Sequence, residues 1–211
     1  MNQWKHTIWQ CVYDQCMDHK YGIETCKPEE LTENKPIYYR YGATGYAALK
    51  QLFCTYTFHD SDFIVDVGCG KGRVLVSAAA HGCKNIVGIE VNQRIARIAN
   101  ENIKNFQKKY SHLKASIKVS PIDSNEFQVQ PKMNRFIFNN PCYIKLILNF
   151  IDKIKVSINQ MSREVMLYFY NPADSWLQML DTVKGLERID MLHTRHDKSF
   201  VIYKIIEERW V

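Results

Sequence analysis

Phe63-Ile-Val-Asp-Val-Gly-Cys-Gly-Lys-Gly72 is the stretch on which the fold turns. A β-forming run, Phe63 to Val67, stops at three glycines separated by single residues: Gly68, Gly70 and Gly72. Apolar residues with helical spacing follow at once, at Val74, Leu75, Val76, Ala78 and Ala79. The reading is a buried strand, a glycine turn and a helix start, which brings backbone close to a nucleotide-like ligand. A second apolar strand begins at Asn85 and ends in Glu90, eighteen residues beyond Gly72. A carboxylate at the tip of the next parallel strand is where ribose hydroxyls are bound.

The glycine spacing narrows the ligand. A dinucleotide site is written G-x-G-x-x-G/A, and its third small residue lets the helix pack under a pyrophosphate. Here position 73 is arginine, the small residue comes one earlier at Gly72, and Asp66 precedes the first glycine. From residue 62 onward the chain alternates strand and helix. Strands are expected near 62–67, 85–90, 115–120, 134–139, 164–170, 186–192 and 199–206. Helices are expected near 72–81, 92–109, 143–159 and 173–184. The fold class is α/β: a doubly wound, Rossmann-like seven-stranded sheet with helices on both faces. The last two strands are joined by only a short turn. Residues 3–19 carry Trp4, Ile8, Trp9, Cys11, Val12 and Cys16 near helical spacing, a short amphipathic helix. The expected division is a helical cap and lead-in segment over 1–60 and a catalytic domain over 61–211.

Asp66-x-Gly-x-Gly-x-Gly72 followed by a strand-end Glu90 resembles the first two motifs of the Class I S-adenosylmethionine-dependent methyltransferases. The resemblance extends over residues 38 to 206 to a group of small bacterial members of that class. Its carriers are Tyr41-Gly-Ala-Thr-Gly-Tyr46, Asp66 to Leu75, Ile86-Val-Gly-Ile-Glu90, Phe136-Ile-Phe-Asn-Asn-Pro141 and Tyr168-Phe-Tyr-Asn-Pro172. It implies S-adenosylmethionine as cofactor and S-adenosylhomocysteine as product. It also implies the antiparallel seventh strand. It supplies no methyl acceptor, because that group is named for fold and cofactor.

Candidate cofactor residues follow. Gly68, Cys69 and Gly70 form the turn that the cofactor approaches. Asp66 either braces the loop amides or meets the cofactor ammonium through water. Glu90, with Val91 beside it, takes the ribose hydroxyls; the alternative for Glu90 is a solvated acid favoured by the dipole of the next helix. Asn92 is read as the cap of that helix. The resemblance places Asp123 near the adenine amino group with Ile122 covering the ring, against a plain capping turn. It also lays Tyr41 and Thr44 against the cofactor pocket, where a hydroxyl can meet the methionine carboxylate; the other reading of this segment is packing of an added helix.

Asn139-Asn-Pro-Cys-Tyr143 follows the fourth strand, at the sheet edge where ligands bind. Amine methyltransferases of this class carry Asn/Asp-Pro-Pro-Tyr/Phe there. Asn140, Pro141 and Tyr143 match it and are the candidate catalytic residues, with Asn139 beside the cofactor. Cys142 stands in place of the second proline, which would fix the backbone more firmly. The other reading is a strand-to-helix turn with Pro141 at the helix start.

Bulk composition sets outer bounds. The chain has 211 residues, enough for one α/β domain with modest additions. No apolar run approaches the roughly 18 residues of a membrane span, and the amino terminus lacks signal-peptide order. Seven scattered cysteines without a C-x-x-C pair point to a reduced, cytoplasmic setting. The histidines show no metal-ligand spacing, so no metal is expected. The net charge of +6 is compatible with nucleic acid without favouring it. The function read from sequence is in-line methyl transfer to an unidentified acceptor, with an amine nitrogen on a protein or small molecule in front. A nucleic-acid N-methyltransferase and a non-catalytic cofactor-binding partner subunit stay open beside it. An NAD-dependent oxidoreductase is disfavoured by Arg73 and the early Gly72.

Overall fold

The computed structural model describes residues 3–27, 42–139, 143–194 and 198–206. Its elements in chain order are α1 (Gln3–Tyr21), α2 (Tyr46–Thr55), β1 (Phe63–Val67), α3 (Arg73–Ala80), β2 (Asn85–Ile89), α4 (Gln93–Lys109) and β3 (Ser116–Ser120). They continue with β4 (Arg135–Phe138), α5 (Ile144–Gln160), β5 (Val165–Tyr170), α6 (Asp174–Leu180), β6 (Leu186–His193) and β7 (Ser199–Ile205). The strands form one seven-stranded sheet in the order β3-β2-β1-β4-β5-β7-β6. The pairs from β3 to β5 are parallel, and β7 runs antiparallel to both of its neighbours. The expected doubly wound sheet with a reversed last strand is therefore what forms.

The strands β1, β4 and β5 are buried along nearly their whole length, as expected of parallel strands covered on both faces. Alternate residues feed two cores. On one face Ile64, Ile86, Ile137 and Tyr168 pack under α2 and α3, together with Tyr21 of α1 and Phe106 of α4. On the other, Val65, Val87, Phe136 and Leu167 pack under α5 and α6. Strand order reverses at β1 and β4, which opens a crevice at their carboxyl ends. All the candidate residues that the structure describes lie on segments that run into or border that edge. Among the described residues, no helix is long and apolar enough to cross a membrane.

Candidate cofactor and acceptor site

Gly68, Gly70 and Gly72 all adopt positive φ, at 80°, 52° and 86°. Side chains rarely tolerate that region, so three such turns in five residues require glycine. Gly72 sits at the N-cap of α3 and lets the chain swing directly from the turn into the helix. The loop amides are satisfied from within. Gly68 N and Cys69 N both donate to the Ile89 carbonyl at 2.9 Å, and Gly72 N donates to the Cys69 carbonyl at 2.9 Å. Gly70 N donates to Glu90 Oε2 at 3.0 Å.

Glu90 is thus the brace of the loop. Its other oxygen, Oε1, accepts from Asn92 N at 2.9 Å, so one carboxylate joins the glycine turn to the start of α4. Burial pushes its acidity down, and the amides of Asn92, Gly70 and Val91 offset part of that. These amides do not exhaust the acceptor capacity of the carboxylate, which leaves room for a ligand hydroxyl. Asn92 caps α4, its side-chain oxygen accepting from Arg94 N and Ile95 N at 3.0 and 3.2 Å. That cap was legible in the sequence.

Asp66 lies fully buried below the turn. Burial and the neighbouring Glu90 charge push its carboxyl up to about 8. The amide-bracing role considered for Asp66 falls instead to Glu90, which takes Gly70 N. Cys69 is buried, and burial with the charges of Asp66 and Glu90 raises its thiol well above the ordinary range. Its Sγ occupies the space a side chain on Gly88 would need: a Cβ there would lie 2.5 Å from it. Gly88 is therefore required by the turn on the neighbouring strand.

Val91, Ile122 and Asp123 are half-buried around the β2 and β3 ends. Asp123 Oδ1 accepts from Asn125 N at 2.8 Å, so this carboxylate also shapes its own turn. Ile122 packs on the α5-side core. On the other flank, Asn139 Nδ2 donates to the Gly42 carbonyl at 2.9 Å, holding the β4 end to the segment that leads into α2. Thr44 on that segment is buried, and its Oγ1 has no hydrogen-bond partner among the described residues. A buried hydroxyl without a partner fits a ligand oxygen or amine at that point. Tyr143, at the N-cap of α5, is exposed. Tyr41, Asn140 and Pro141 lie outside the described residues.

Sequence reasoning used Arg73 only to argue against a dinucleotide, and here it missed the most connected side chain of the region. Arg73 is buried. Its Nη1 donates to Asp14 Oδ2 at 2.7 Å and to the Thr44 carbonyl at 3.2 Å, and its Nε donates to Thr25 Oγ1 at 2.6 Å. Its guanidinium sits 4.5 Å from the Tyr46 ring centre, and Asp18 lies 4.0 Å away. Burial disfavours the Asp18 charge, but hydrogen bonds from Thr25 and Tyr46 and the charge of Arg73 outweigh it, so its carboxyl lies below the usual range. One arginine at the start of α3 thereby fixes α1, the Thr25 turn and the Thr44 segment against the cofactor loop. The available signal was Asp14 and Asp18, one turn apart on the face of α1 that also carries Tyr21.

The profile of the family described as "Histone methylation protein DOT1" matches residues 21–167, well over half of the chain. The chain belongs to the DOT1 family. That family is one of S-adenosylmethionine-dependent methyltransferases, the chemistry to which the glycine loop and Glu90 pointed. No curated protein sequence matches the chain. Solved structures share the fold at low identity. An RNA methyltransferase from Salinibacter ruber, crystallised with S-adenosylhomocysteine, has 15% identity and a TM-score of 0.60, over 79% of this chain and 95% of that one. A SAM-dependent methyltransferase from Aquifex aeolicus has 13% identity and a TM-score of 0.58, over 75% of this chain and 89% of that one. A SAM-dependent O-methyltransferase from Thermotoga maritima has 14% identity and a TM-score of 0.58, over 95% of this chain and 73% of that one.

Proposed function

We propose that this DOT1-family chain transfers the methyl group of S-adenosylmethionine to an amine nitrogen on a protein or small molecule. The observation that carries the cofactor half is the closed unit of three left-handed glycines and Glu90, with the unpartnered Thr44 hydroxyl across the crevice. Glu90 holds the ribose hydroxyls on its remaining lone pairs, and Val91 lies beside them. Ile122 covers the adenine and Asp123 accepts from its amino group. Thr44 and Tyr41 meet the methionine end, while Asp66 and the Gly68–Gly70 backbone form the floor. The bound cofactor supplies a sulfonium methyl that is already a strong electrophile, so the protein's part is proximity and aim.

The acceptor half rests on the segment after β4. Asn140 and the Pro141 region present acceptor oxygens to an amine N–H and aim its lone pair, with the Tyr143 ring beside the amine. Asn139 holds the near wall to Gly42. The family's description, histone methylation, supports a protein amine as the acceptor. Residues 1–60 act as the cap over this edge. The unpaired cysteines among the described residues fit a reducing, cytoplasmic setting.

Calorimetry with S-adenosylhomocysteine tests the cofactor half. Wild type binds in the micromolar range, and Glu90→Ala weakens binding at least about tenfold, or about 1.4 kcal/mol. Transfer of labelled methyl to lysine-rich protein tests the acceptor half. Asn140→Ala should bind cofactor normally and lose transfer; full turnover in that variant sinks the amine-aiming role. Normal cofactor binding without transfer to any acceptor would favour the non-catalytic subunit.

A further inference from the structure

The chain's positive charge is concentrated in one place. Residues 84–118 hold eight of the 28 lysines and arginines but only two of the 22 acidic residues. That difference equals the whole formal net charge of +6, so the remainder of the chain balances to zero. Helix α4 contributes Arg94, Arg97, Lys104, Lys108 and Lys109 against a single acid, Glu101. At about 100° per residue, positions 94, 97, 104 and 108 fall within a stripe about 80° wide, and the exposed Glu101 falls inside it as the one acid among four cations. That stripe lies opposite the buried face of Ile95, Ala99, Ile103 and Phe106. All four cationic residues are exposed, and the stripe runs about 21 Å along the axis. Among the described residues, no hydrogen bond or ion pair occupies the side chains of Arg97, Lys104 or Lys108.

Helix stability does not account for this pattern. Glu101 is the single acid interleaved with these cations and leaves the face with a net charge of +3, and cations are favoured in the last turn of a helix but opposed by the dipole in the first. Lys108 and Lys109 suit their end, whereas Arg94 and Arg97 stand in the first two turns. Further positive charge flanks the stripe on the side that carries Lys109. Lys109 Nζ donates to the His19 carbonyl at 3.3 Å and the Tyr110 hydroxyl donates to the Lys20 carbonyl at 2.9 Å. These contacts bring the exposed His19 and Lys20 alongside.

We propose that the outward face of α4 is a docking track for the sugar–phosphate backbone of a nucleic acid. A narrow row of cations matches a linear polyanion, whose phosphates repeat every few ångströms. A bilayer surface would need apolar side chains beside the cations, and none of the exposed large apolar residues lies on α4. The adjoining cleft of about 430 Å³ between the Gly22–Glu24 turn and α4 is bordered by Glu24 and Glu101. Arg94 stands four residues beyond Glu90, so the track begins beside the cofactor pocket. The proposal does not depend on the identity of the methyl acceptor, because binding is read apart from transfer.

Fluorescence anisotropy of the full chain with a labelled 20-nucleotide single-stranded RNA and a 20-base-pair DNA duplex tests it. Four phosphate contacts on a single strand give a salt slope near −2.8, so affinity should fall about 50-fold between 50 and 200 mM salt. K104E/K108E should weaken binding at least about tenfold and flatten the slope by about 1.4, with S-adenosylhomocysteine affinity retained as the check on folding. K50E/K132E makes the same charge change at exposed sites elsewhere and should stay within about twofold of wild type. The two polymers share the backbone chemistry, and the tighter one identifies the source. Equal losses in the two double variants, or no saturable binding at 50 mM salt, would overturn the track. So would polyglutamate or anionic vesicles binding as tightly with the same dependence on Lys104 and Lys108.

Discussion

Replacing Arg73 by methionine should be the most damaging single change outside the hydrophobic core. The side chain is 4% exposed and faces Asp14 at 2.7 Å and Asp18 at 4.0 Å. Methionine keeps much of the volume but leaves two buried carboxylates without their cation, and removes donors to Thr25 and to the Thr44 carbonyl. Breaking one side of a buried ion pair costs about 3–5 kcal/mol. For a chain of this size each kcal/mol moves the melting temperature by roughly 2–4 °C. Arg73→Met should therefore melt about 6 to 20 °C lower by calorimetry, with α1 cut early in limited proteolysis. Removing the charge set together is a different case, because a neutral replacement of a buried ionic cluster is often close to harmless. Asp14→Asn added to Arg73→Met should recover part of the loss, while Asp18 keeps the hydrogen bonds it accepts from Thr25, Cys26 and Tyr46. A single Arg73→Met variant that melts within 2 °C of wild type would refute the assignment of Arg73 as the tie between α1 and the cofactor loop.

Asp66 gives a pH signature. Its carboxyl is raised from 3.8 to about 8 in the fold, so between those values the folded chain holds a proton that the unfolded chain has lost. Stability from this group falls as pH rises through that window, by at most about 1.4 kcal/mol per unit. Urea midpoints at pH 5 and pH 8 should fall less in Asp66→Asn than in wild type; equal falls would remove the claim. Gly88→Ala should destabilise by about 1–3 kcal/mol through overpacking, since its Cβ would meet Cys69 Sγ at 2.5 Å and Leu75 Cδ1 at 2.7 Å. In a Cys69→Gly background the cost of Gly88→Ala should shrink to what the Leu75 contact imposes, and an unchanged cost would clear Cys69 of the clash. Asn92→Ala should cost about 1 kcal/mol of stability while leaving S-adenosylhomocysteine affinity nearly unchanged, because Glu90 is held by the Asn92 backbone and not its side chain. A large loss of affinity would show that the cap itself shapes the surroundings of Glu90.

The sheet was legible because its signals are local. Runs such as Phe63–Val67 and Val165–Tyr170 carry β-forming residues up to turn residues, and every strand formed within a residue or so of its expected bounds. The helix expected over 173–184 ends at Leu180, where the Thr182 hydroxyl bonds back to the Met179 carbonyl in a turn before Gly185. Glycine at 68, 70 and 72, with Glu90 after the next strand, marked the loop for the same local reason. What stayed hidden was pairing across long separations. Nothing near Arg73 announces that its partners are Asp14, Thr25 and Thr44. Asp14 and Asp18 resemble surface acids until tertiary contact buries them. Glu90 was read as a ligand holder, but its hydrogen bond to Gly70 depends on strand register, which a single sequence does not state.

The inward closure of the glycine loop has a consequence for which molecules can occupy the crevice in a living cell. Nucleoside triphosphates are abundant there and carry the same adenosine half as the cofactor. A phosphate-binding turn offers unspent N–H groups and a cation. Here the amides of Gly68, Cys69, Gly70 and Gly72 are already spent on Ile89, Glu90 and Cys69. The lysine of the turn donates to the Lys27 carbonyl, and the arginine beside it is neutralised by Asp14. A triphosphate would find none of these four amides free to replace its water and would face Glu90. ATP at millimolar levels should therefore be a poor competitor, and occupancy of the pocket should track the methyl donor and its demethylated product rather than the energy charge of the cell.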